Sequence, residues 1–296
     1  KLESFTFPDN ITGMGYGIFS KCHNLKEVSL PRNITTLPES TFYWCYALTD
    51  IEIPESVTKI GDSAFASAGL VSVTLPAGLK SIEDNAFDIC SDLCDIRYTD
   101  GTECSSQLIL KEGLESVGKN AFTRCKQLTA VHIPASVTKI GAAAFTAEGI
   151  QSMTIADGNK NYKTVDGFTG IIETSSGTLV SGACNSTVVP PEVLRIGDGA
   201  YSYLPITSID LHENIKYVGN NAFYSMTNKK LKTIISRSVV PPTTGASSVF
   251  YGCLTYGTLK VPESAVDAYK ASSWMSDSYG FLGKLKWSVK ALADGE

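Results

Sequence analysis

The chain has 296 residues, 43% of them apolar, and a formal net charge of −5 with a pI near 5.4. The apolar content supports a hydrophobic core and excludes a disordered chain, and no apolar run reaches the roughly 20 residues of a membrane-spanning helix. Because the negative charge provides no basic surface for phosphates, we expect no nucleic-acid partner and no membrane insertion by this segment.

A proline and an aromatic residue eleven positions apart recur along the chain, with Lys or His sometimes in place of the proline. The pairs are Pro8/Phe19, Pro31/Phe42, Pro54/Phe65, Pro76/Phe87, Lys111/Phe122, Pro134/Phe145, Pro190/Tyr201 and His212/Phe223. Before each pair stands an apolar residue followed three and five places later by two more, as in Leu48, Ile51 and Ile53. The spacing therefore predicts an internal repeat of 22 or 23 residues.

The pattern of one repeat predicts a short strand, a turn and a helical turn. Alternating apolar residues predict a strand with one buried face, and the proline after it ends the pairing. An Ile-Gly pair then turns the chain, and acidic or amide residues follow where the N-cap of a short helix belongs. These residues are Asp62, Asp84, Asp198 and Asn220. A unit this small cannot bury its apolar face alone, so stacked repeats must share one core with an aromatic stack.

The unit IPxSVTxIGxxAFxxCxxLxxIxIP resembles the BspA-type leucine-rich repeat of bacterial surface and secreted proteins, and the resemblance covers nearly the whole chain. It implies an α/β solenoid, wound as a right-handed coil, with one parallel β-sheet and short helical turns opposite. It also implies an extracellular or cell-surface location, with a lipid anchor in a missing N-terminal segment as a compatible arrangement. Lys1 stands first and no signal-like segment is recognisable, so we expect a mature or trimmed chain.

Two segments interrupt the repeats. Residues 99–110 contain an Asp-Gly turn signal and predict an excursion from one coil. Residues 156–189 contain GIIET and TLVSG arms around a Ser-Ser-Gly turn, which predicts a β-hairpin insertion. The resemblance implies that Asn161, Tyr162, Asp166 and Gly167 belong to this structural insertion, with ligand binding as the alternative.

From Pro262 onwards the pattern changes to PESAVDAYKASSWMSD, which predicts a short amphipathic helix capped by Ser264. We expect residues 263–296 to form a C-terminal helical cap, with Trp274 and Trp287 in its core. The predicted organisation is a single solenoid over residues 1–296. Its parts are a first repeat block (1–155), the hairpin insertion (156–189), a second repeat block (190–262) and the cap.

Cysteine and histidine positions argue against a metal, a cofactor or catalysis. Five of the eight cysteines lie three residues after the recurring aromatic, which predicts a buried row of free thiols. They are Cys22, Cys45, Cys90, Cys125 and Cys253. Cys94 and Cys104 bracket the first interruption, and either a disulfide or two free thiols fit there. No zinc-ligand spacing and no nucleophile motif is present, so we expect a protein that is not an enzyme.

The strand residues between the buried ones form rows on the exposed, concave face of the predicted sheet. The central row is Ser29, Glu52, Thr74, Arg97, His132, Thr154, Asp210 and Ile235, and the row beside it is Glu27, Asp50, Ser72, Asp95, Ala130, Ser152, Ser208 and Thr233. The charged and histidine residues of both rows are the candidate ligand-binding residues. They are Glu27, Asp50, Glu52, Asp95, Arg97, His132 and Asp210.

These rows favour a non-catalytic binding or adhesion module of a secreted or cell-surface bacterial protein. Its partner would be a host or bacterial surface protein with basic character. The alternative is a cell-surface carbohydrate-binding accessory protein, in which Tyr98 or Tyr162 would be exposed to stack on a glycan. A solvated sheet face without a ligand is the third interpretation.

Overall fold

The computed structural model describes residues 1–8, 10–225, 230–246, 248–278, 281–293 and 295. The chain divides into two compact units, residues 1–161 (unit 1) and residues 162–296 (unit 2). Each unit consists of stacked coils joined by parallel strand pairs. The single continuous solenoid, its handedness and its block boundaries stay predictions.

The strands of unit 1 are two to four residues long. They are β1 Ser4–Thr6, β2 Glu27–Ser29, β3 Thr36–Leu37, β4 Lys59–Ile60, β5 Ser72–Leu75, β6 Ser81–Ile82, β7 Asp95–Tyr98, β8 Glu103–Ser105, β9 Gln107–Ile109, β10 Ser116–Val117, β11 Ala130–Ile133, β12 Lys139–Ile140 and β13 Ser152–Ile155.

The recurring apolar pattern forms the predicted strands. β1 pairs with β2, β5 with β7, and β11 with both β9 and β13, all parallel, and Glu52 forms an isolated bridge with Thr74. Along β5, Val73 and Leu75 are buried while Ser72 and Thr74 are half-buried, as the alternation requires. We call the outward side of these strands the strand face.

A second ladder of parallel strands runs through unit 1, and the prediction of one sheet is therefore wrong. It contains β3, β4, β6, β10 and β12, each only two residues long. Strands this short carry no period-two signal, so the sequence indicated only a turn. A Cβ atom on Gly61 would lie 2.6 Å from the backbone nitrogen of Glu39, which explains why glycine follows the strand where coils approach closely.

The predicted helical turns are also wrong, because the segments opposite the strand face are tight hydrogen-bonded turns. The amide of Ala68 donates to the carbonyl of Phe65, but Ser63 and Ser67 have φ of 54° and 59°, which prevents a continuous helix. The predicted N-cap carboxylates instead join neighbouring coils. Asp84 Oδ1 accepts from the amide of Lys119 at 2.7 Å. The fold is therefore a β-solenoid rather than an α/β arrangement.

The segment 99–110 was predicted only as an excursion from one coil. In the structure it forms strands that pair with the strand face. β8 runs antiparallel to β7, with Ile96 opposite Cys104. The chain then turns at Ser106, whose φ is 56°, and β9 pairs parallel with β11. The insertion therefore supplies two strands, β8 and β9, that pair with strands of the strand face.

The core of each unit contains stacked aromatic rings. In unit 1, the ring centroids of Phe65, Phe87 and Phe122 are 5.1 Å apart at each step, with interplanar angles of 15° and 7°. In unit 2, Phe223 stacks on Tyr201 at 5.7 Å and on Phe250 at 5.6 Å. The predicted aromatic stack is confirmed within each unit.

The cysteines are all free thiols, so the Cys94–Cys104 disulfide is not formed. Four thiols of the predicted row, those of Cys45, Cys90, Cys125 and Cys253, are buried and donate to backbone carbonyls of neighbouring coils, as Cys45 Sγ does to the oxygen of Phe19 at 3.1 Å. The prediction is wrong for Cys22, which is half-buried. Burial raises the pKa of the Cys45 thiol to about 12. The four buried thiols therefore act as small core side chains with satisfied S–H groups.

Unit 2 contains the strands β14 Tyr162–Val165, β15 Phe168–Glu173, β16 Thr178–Gly182, β17 Arg195–Ile196, β18 Ser208–Leu211, β19 Tyr217–Val218, β20 Thr233–Ser236, β21 Thr243–Thr244, β22 Thr258–Val261 and β23 Ser288–Ala291. β15 and β16 pair antiparallel and form the predicted hairpin. β16 then pairs parallel with β17, so the hairpin extends the ladder β17–β19–β21.

The predicted short helix after Pro262 is present, but the helical cap of the C-terminal segment is not confirmed. Among the described residues of this segment the α-helix is α1 Val266–Lys270, flanked by 3-10 turns at Glu263–Ala265 and Ser273–Met275, and β23 follows and pairs parallel with β22. Ser264 caps neither element; the residue before the first 3-10 turn is Pro262, which has no side-chain cap. Trp274 and Trp287 are buried as predicted, and their ring nitrogens donate to the carbonyls of Pro242 and Leu254.

Candidate functional site

Four of the predicted strand-face positions of unit 1 form one polar cluster. Arg97 Nη2 lies 2.6 Å from Asp50 Oδ1 and donates to Ser72 Oγ at 2.8 Å, and Ser72 itself hydrogen-bonds Asp50. Arg97 Nε lies 3.4 Å from Asp95 Oδ2. The guanidinium therefore pairs with two of the carboxylates that the sequence placed on this face, and the three groups together keep a net charge of −1.

Glu27 and Glu52 remain as exposed carboxylates on the strand face. Neither side chain has a hydrogen bond or ion pair with another side chain among the residues described. Beside Glu27, the ion pair at the sheet edge joins Lys26 and Glu3 at 2.9 Å. Glu27 and Glu52 are therefore the carboxylates of this face without an ion pair, while Asp50 and Asp95 share the single positive charge of Arg97 and keep one negative charge between them.

His132 lines a shallow depression on the strand face. Its Nδ1 lies 2.9 Å from the hydroxyl oxygen of Thr154, the neighbouring residue in the central row. The depression has a volume of about 270 Å³ and is lined by Gln107, Ile109, Ala130, Val131, His132, Ser152 and Thr154. Gln107 and Ile109 belong to the inserted strand β9, which sequence reasoning did not place in the row.

Asp210 belongs to unit 2, where it forms a bidentate ion pair with Arg237. Arg237 donates from Nε and Nη2 to the two carboxylate oxygens of Asp210, at 2.9 and 2.7 Å. The hydrogen bond to Asp210 is also the main cause that raises the pKa of Arg237. The register continues from Asp210 through Ile235 to Lys260 and Lys290, which the sequence reasoning did not include. Tyr256, Leu259 and Val261 repeat the spacing of Leu48, Ile51 and Ile53, and this pattern was the signal for Lys260.

The aromatic residues predicted to stack on a glycan are buried, so that prediction is wrong. Tyr98 is 4% exposed and Tyr162 is 5% exposed. Tyr98 is the last residue of β7 and faces inward, and its hydroxyl donates to the carbonyl of Ile109 at 2.7 Å. Any stacking platform must therefore use other rings.

The described residues contain neither a metal-binding cluster nor a membrane-spanning helix. Within them, no group of three or more His, Cys, Asp or Glu side chains is arranged to hold a metal ion. No helix in the same set of residues has the length and apolar character of a membrane span.

Stacked parallel coils with a buried aromatic stack and polar outward strand positions define a repeat protein of the leucine-rich type. The chain belongs to the BspA-type leucine-rich repeat family, whose profile matches it in six copies over residues 1–94, 99–170 and 180–275. No curated protein matches the sequence.

Three solved structures share the fold. A leucine-rich cell surface protein from Faecalibacterium prausnitzii A2-165 is 19% identical with a TM-score of 0.55, over 99% of this chain and 88% of that chain. A leucine-rich repeat protein from Eubacterium ventriosum is 18% identical with a TM-score of 0.56, over 97% and 78% of the two chains. The pneumococcal vaccine antigen PcpA is 18% identical with a TM-score of 0.51, over 99% and 79%.

Proposed function

We propose that this chain is a non-catalytic protein-binding module of a bacterial cell-surface or secreted protein, with its binding site on the strand face of unit 1. Membership of the BspA-type family supports a repeat-based interaction module. The Faecalibacterium protein, described as a cell surface protein, and the PcpA antigen support a surface location. Adhesion to a host or bacterial surface protein is the role that follows from such a module at a cell surface.

The depression beside His132 carries this proposal. Its volume of about 270 Å³ lies below the roughly 300–1,000 Å³ of small-molecule pockets, and it suits a single side chain of a protein partner. Ile109 provides an apolar contact, and Gln107, His132, Ser152 and Thr154 provide hydrogen-bonding groups around it. Interfaces take much of their energy from such anchor side chains in desolvated pockets.

The negative charge of the strand face would mainly raise the rate of association with a basic partner and would contribute little of the binding free energy. Because Arg97 balances the charge of only one of Asp50 and Asp95, the negative field of this face comes from that cluster together with the exposed carboxylates of Glu27 and Glu52. A basic partner would associate faster at low salt, and replacing Glu52 by Lys would slow that association. The effect should be modest, since exposed charges are screened within about 8 Å at physiological ionic strength.

The experiment measures binding of the purified chain to immobilised extracellular-matrix proteins and bacterial surface proteins at two salt concentrations. Ser152→Tyr fills the depression, and Lys139→Glu changes an exposed residue of β12, outside the strand face, as the matched control. We expect Ser152→Tyr to weaken binding at least about tenfold, or roughly 1.4 kcal/mol, while Lys139→Glu leaves it unchanged. Binding that survives both Ser152→Tyr and Glu52→Lys would remove the strand face as the site.

A further inference from the structure

Three aromatic residues lie close together in one coil, on the turns and away from the strand face. They form the sequence Tyr43-Trp44-Cys45-Tyr46, in which Cys45 is buried while Trp44 is 36% and Tyr46 is 54% exposed. The Trp44 ring centroid lies 5.1 Å from that of Tyr43 and 6.4 Å from that of Tyr46, with interplanar angles of 16° and 23°. The rings of Tyr43 and Tyr46 are therefore each nearly parallel to that of Trp44, and those of Trp44 and Tyr46 are exposed.

The fold does not require aromatic residues at these positions. The position of Trp44, two residues after the stacked Phe, is taken in other coils of unit 1 by Lys21, Ser67, Ile89, Arg124 and Ala147, and the position of Tyr46 by His23, Gly69, Ser91, Lys126 and Gly149. The backbone at Trp44 has a φ of 60°, in the left-handed region that bulky side chains rarely adopt. Because the coil accepts serine there, the tryptophan needs an explanation other than folding.

The preceding coil covers one side of the aromatic group. The amide of Lys21 donates to the carbonyl of Tyr43, which places the two coils in direct contact. The ammonium group of Lys21 lies 5.5 Å from the Trp44 ring centroid, and the His23 ring stacks on Tyr46 at 5.1 Å. A cation and an imidazole therefore already occupy ring faces on this side.

The following coil leaves space on the other side. The amide of Trp44 donates to the carbonyl of Ala66, so this coil is adjacent, and its equivalent positions are Ser67 and Gly69. It is also one residue shorter between its stacked Phe and the next buried Leu. A larger side chain returns only one coil later, at Ile89, which is 36% exposed.

We call the recess formed by Trp44, Tyr46, Ser67, Gly69 and Ile89 the aromatic shelf. Two coil steps of about 4.8 Å separate Trp44 from Ile89. Because carbon atoms in contact are about 3.5–4.0 Å apart, this separation accommodates one layer of atoms between the two side chains. The shelf therefore has the thickness of a single ring.

We propose that the aromatic shelf binds a saccharide, with one pyranose ring lying against the open sides of Trp44 and Tyr46. A pyranose has an apolar C–H face that packs on an aromatic ring and hydroxyl groups around its edge. The hydroxyl groups of Ser67 and Tyr46, both members of the shelf, can hydrogen-bond the hydroxyl groups of the sugar. This site lies on the turns, so it does not depend on protein binding at the strand face.

Tryptophan fluorescence provides the first test. The chain has three tryptophans, and Trp274 and Trp287 are 0% and 5% exposed, so a saccharide-induced change reports on Trp44. The probes are cellotetraose, an N-acetyllactosamine tetrasaccharide and, as a non-saccharide competitor for aromatic surfaces, decaproline. We expect a saturable change with at least one of the saccharides at a Kd of about 1 mM or lower, the range of ligands bound with roughly 4 kcal/mol.

Calorimetric titration of variants then locates the site. Trp44→Ser removes the ring and introduces the residue that the next coil has at this position. Ser67→Arg covers the open side, in the way that Lys21 covers the other, and introduces the residue found at position 124. We expect each variant to weaken saccharide binding at least about tenfold without lowering the melting temperature. The control is Tyr16→Ser, which removes an aromatic ring that is 83% exposed and lies outside the shelf.

Three results would overturn the proposal. One is the absence of saturation by either tetrasaccharide up to ~10 mM, since a Kd of about 1 mM would be saturated there. Another is saccharide binding that Trp44→Ser and Ser67→Arg both leave intact. The third is binding of decaproline alone, which would assign the shelf to a proline-rich protein segment.

Discussion

Truncation of Phe87 to alanine tests whether the aromatic stack holds the coils of unit 1 together. Phe87 is fully buried and stacks on Phe65 and on Phe122 at 5.1 Å each. Losing the burial of one such side chain costs about 1.5–3 kcal/mol, and losing two ring pairs costs about 0.5–1.5 kcal/mol each. The expected loss in the free energy of unfolding is therefore about 2.5–6 kcal/mol, which brackets the roughly 3–5 kcal/mol found for buried Phe→Ala changes.

The assay is thermal unfolding followed by circular dichroism, together with urea unfolding at 25 °C. For a unit of 161 residues, each kcal/mol corresponds to about 2–4 °C, so Phe87→Ala should lower the melting temperature by roughly 10 °C. Ile89→Ala is the matched control, because it truncates a side chain in the same coil that is 36% exposed. We expect it to change the free energy of unfolding by no more than about 0.5 kcal/mol.

Two outcomes would contradict this reasoning. One is a loss of less than about 1 kcal/mol in the free energy of unfolding for Phe87→Ala. It would mean that neighbouring coils relax into the vacated space and that the aromatic stack contributes little to stability. Equal losses for Phe87→Ala and Ile89→Ala would mean that burial does not separate core from surface in this coil.

Three further predictions concern coil contacts, thiols and the ion pair of unit 2. Gly61→Ala should lower the free energy of unfolding by about 1–3 kcal/mol, because the added Cβ would lie 2.6 Å from a backbone atom of the preceding coil. The control Gly78→Ala should leave the free energy of unfolding unchanged, because its added Cβ has its nearest contact at 3.8 Å. The Cys45 thiol, whose pKa burial raises to about 12, should react with a disulfide reagent at pH 8 only after denaturation. Arg237→Met should cost about 1 kcal/mol in urea unfolding, since it leaves the half-buried Asp210 carboxylate without its bidentate partner.

Each of these predictions has a result that would refute it. Equal free energies of unfolding for Gly61→Ala and Gly78→Ala would show that neighbouring coils move apart at the second ladder at little cost in stability. Rapid labelling of Cys45 in the native protein, read by mass spectrometry, would contradict its burial. An unchanged or increased free energy of unfolding for Arg237→Met would show that desolvation of the pair offsets its attraction.

The repeat could be predicted from the sequence because its information is local. Val73 and Leu75 alternate with outward residues within four positions, and the period-two pattern is sufficient to place β5 and its buried face. The same local logic placed the Cys45 row and both buried tryptophans of the C-terminal segment. It failed for the two-residue strands of the second ladder, because two residues cannot display a period.

The turns show how a correct residue pattern received the wrong conformation. The Asp-x-Ala-Phe sequence fits an N-capped helical turn, yet positive φ angles at Ser63 and Ser67 interrupt the helix every few residues. The coil must reverse direction within a few residues and still stack on its neighbours. That requirement overrides the local capping preference, and the carboxylate of Asp84 instead accepts an amide hydrogen bond from the next coil.

The sequence by itself determined the repeat unit, the longer strands of the strand face and most of the buried residues, because burial there follows a period that adjacent residues display. Only the tertiary structure decided which outward residues keep an exposed charge or an open ring. Asp50 is compensated by Arg97, 47 positions later, and Trp44 has an open side because the next coil has Ser67 and Gly69. Such contacts join residues of different coils, and the stacking of the coils, rather than any local pattern, brings them within a few ångströms.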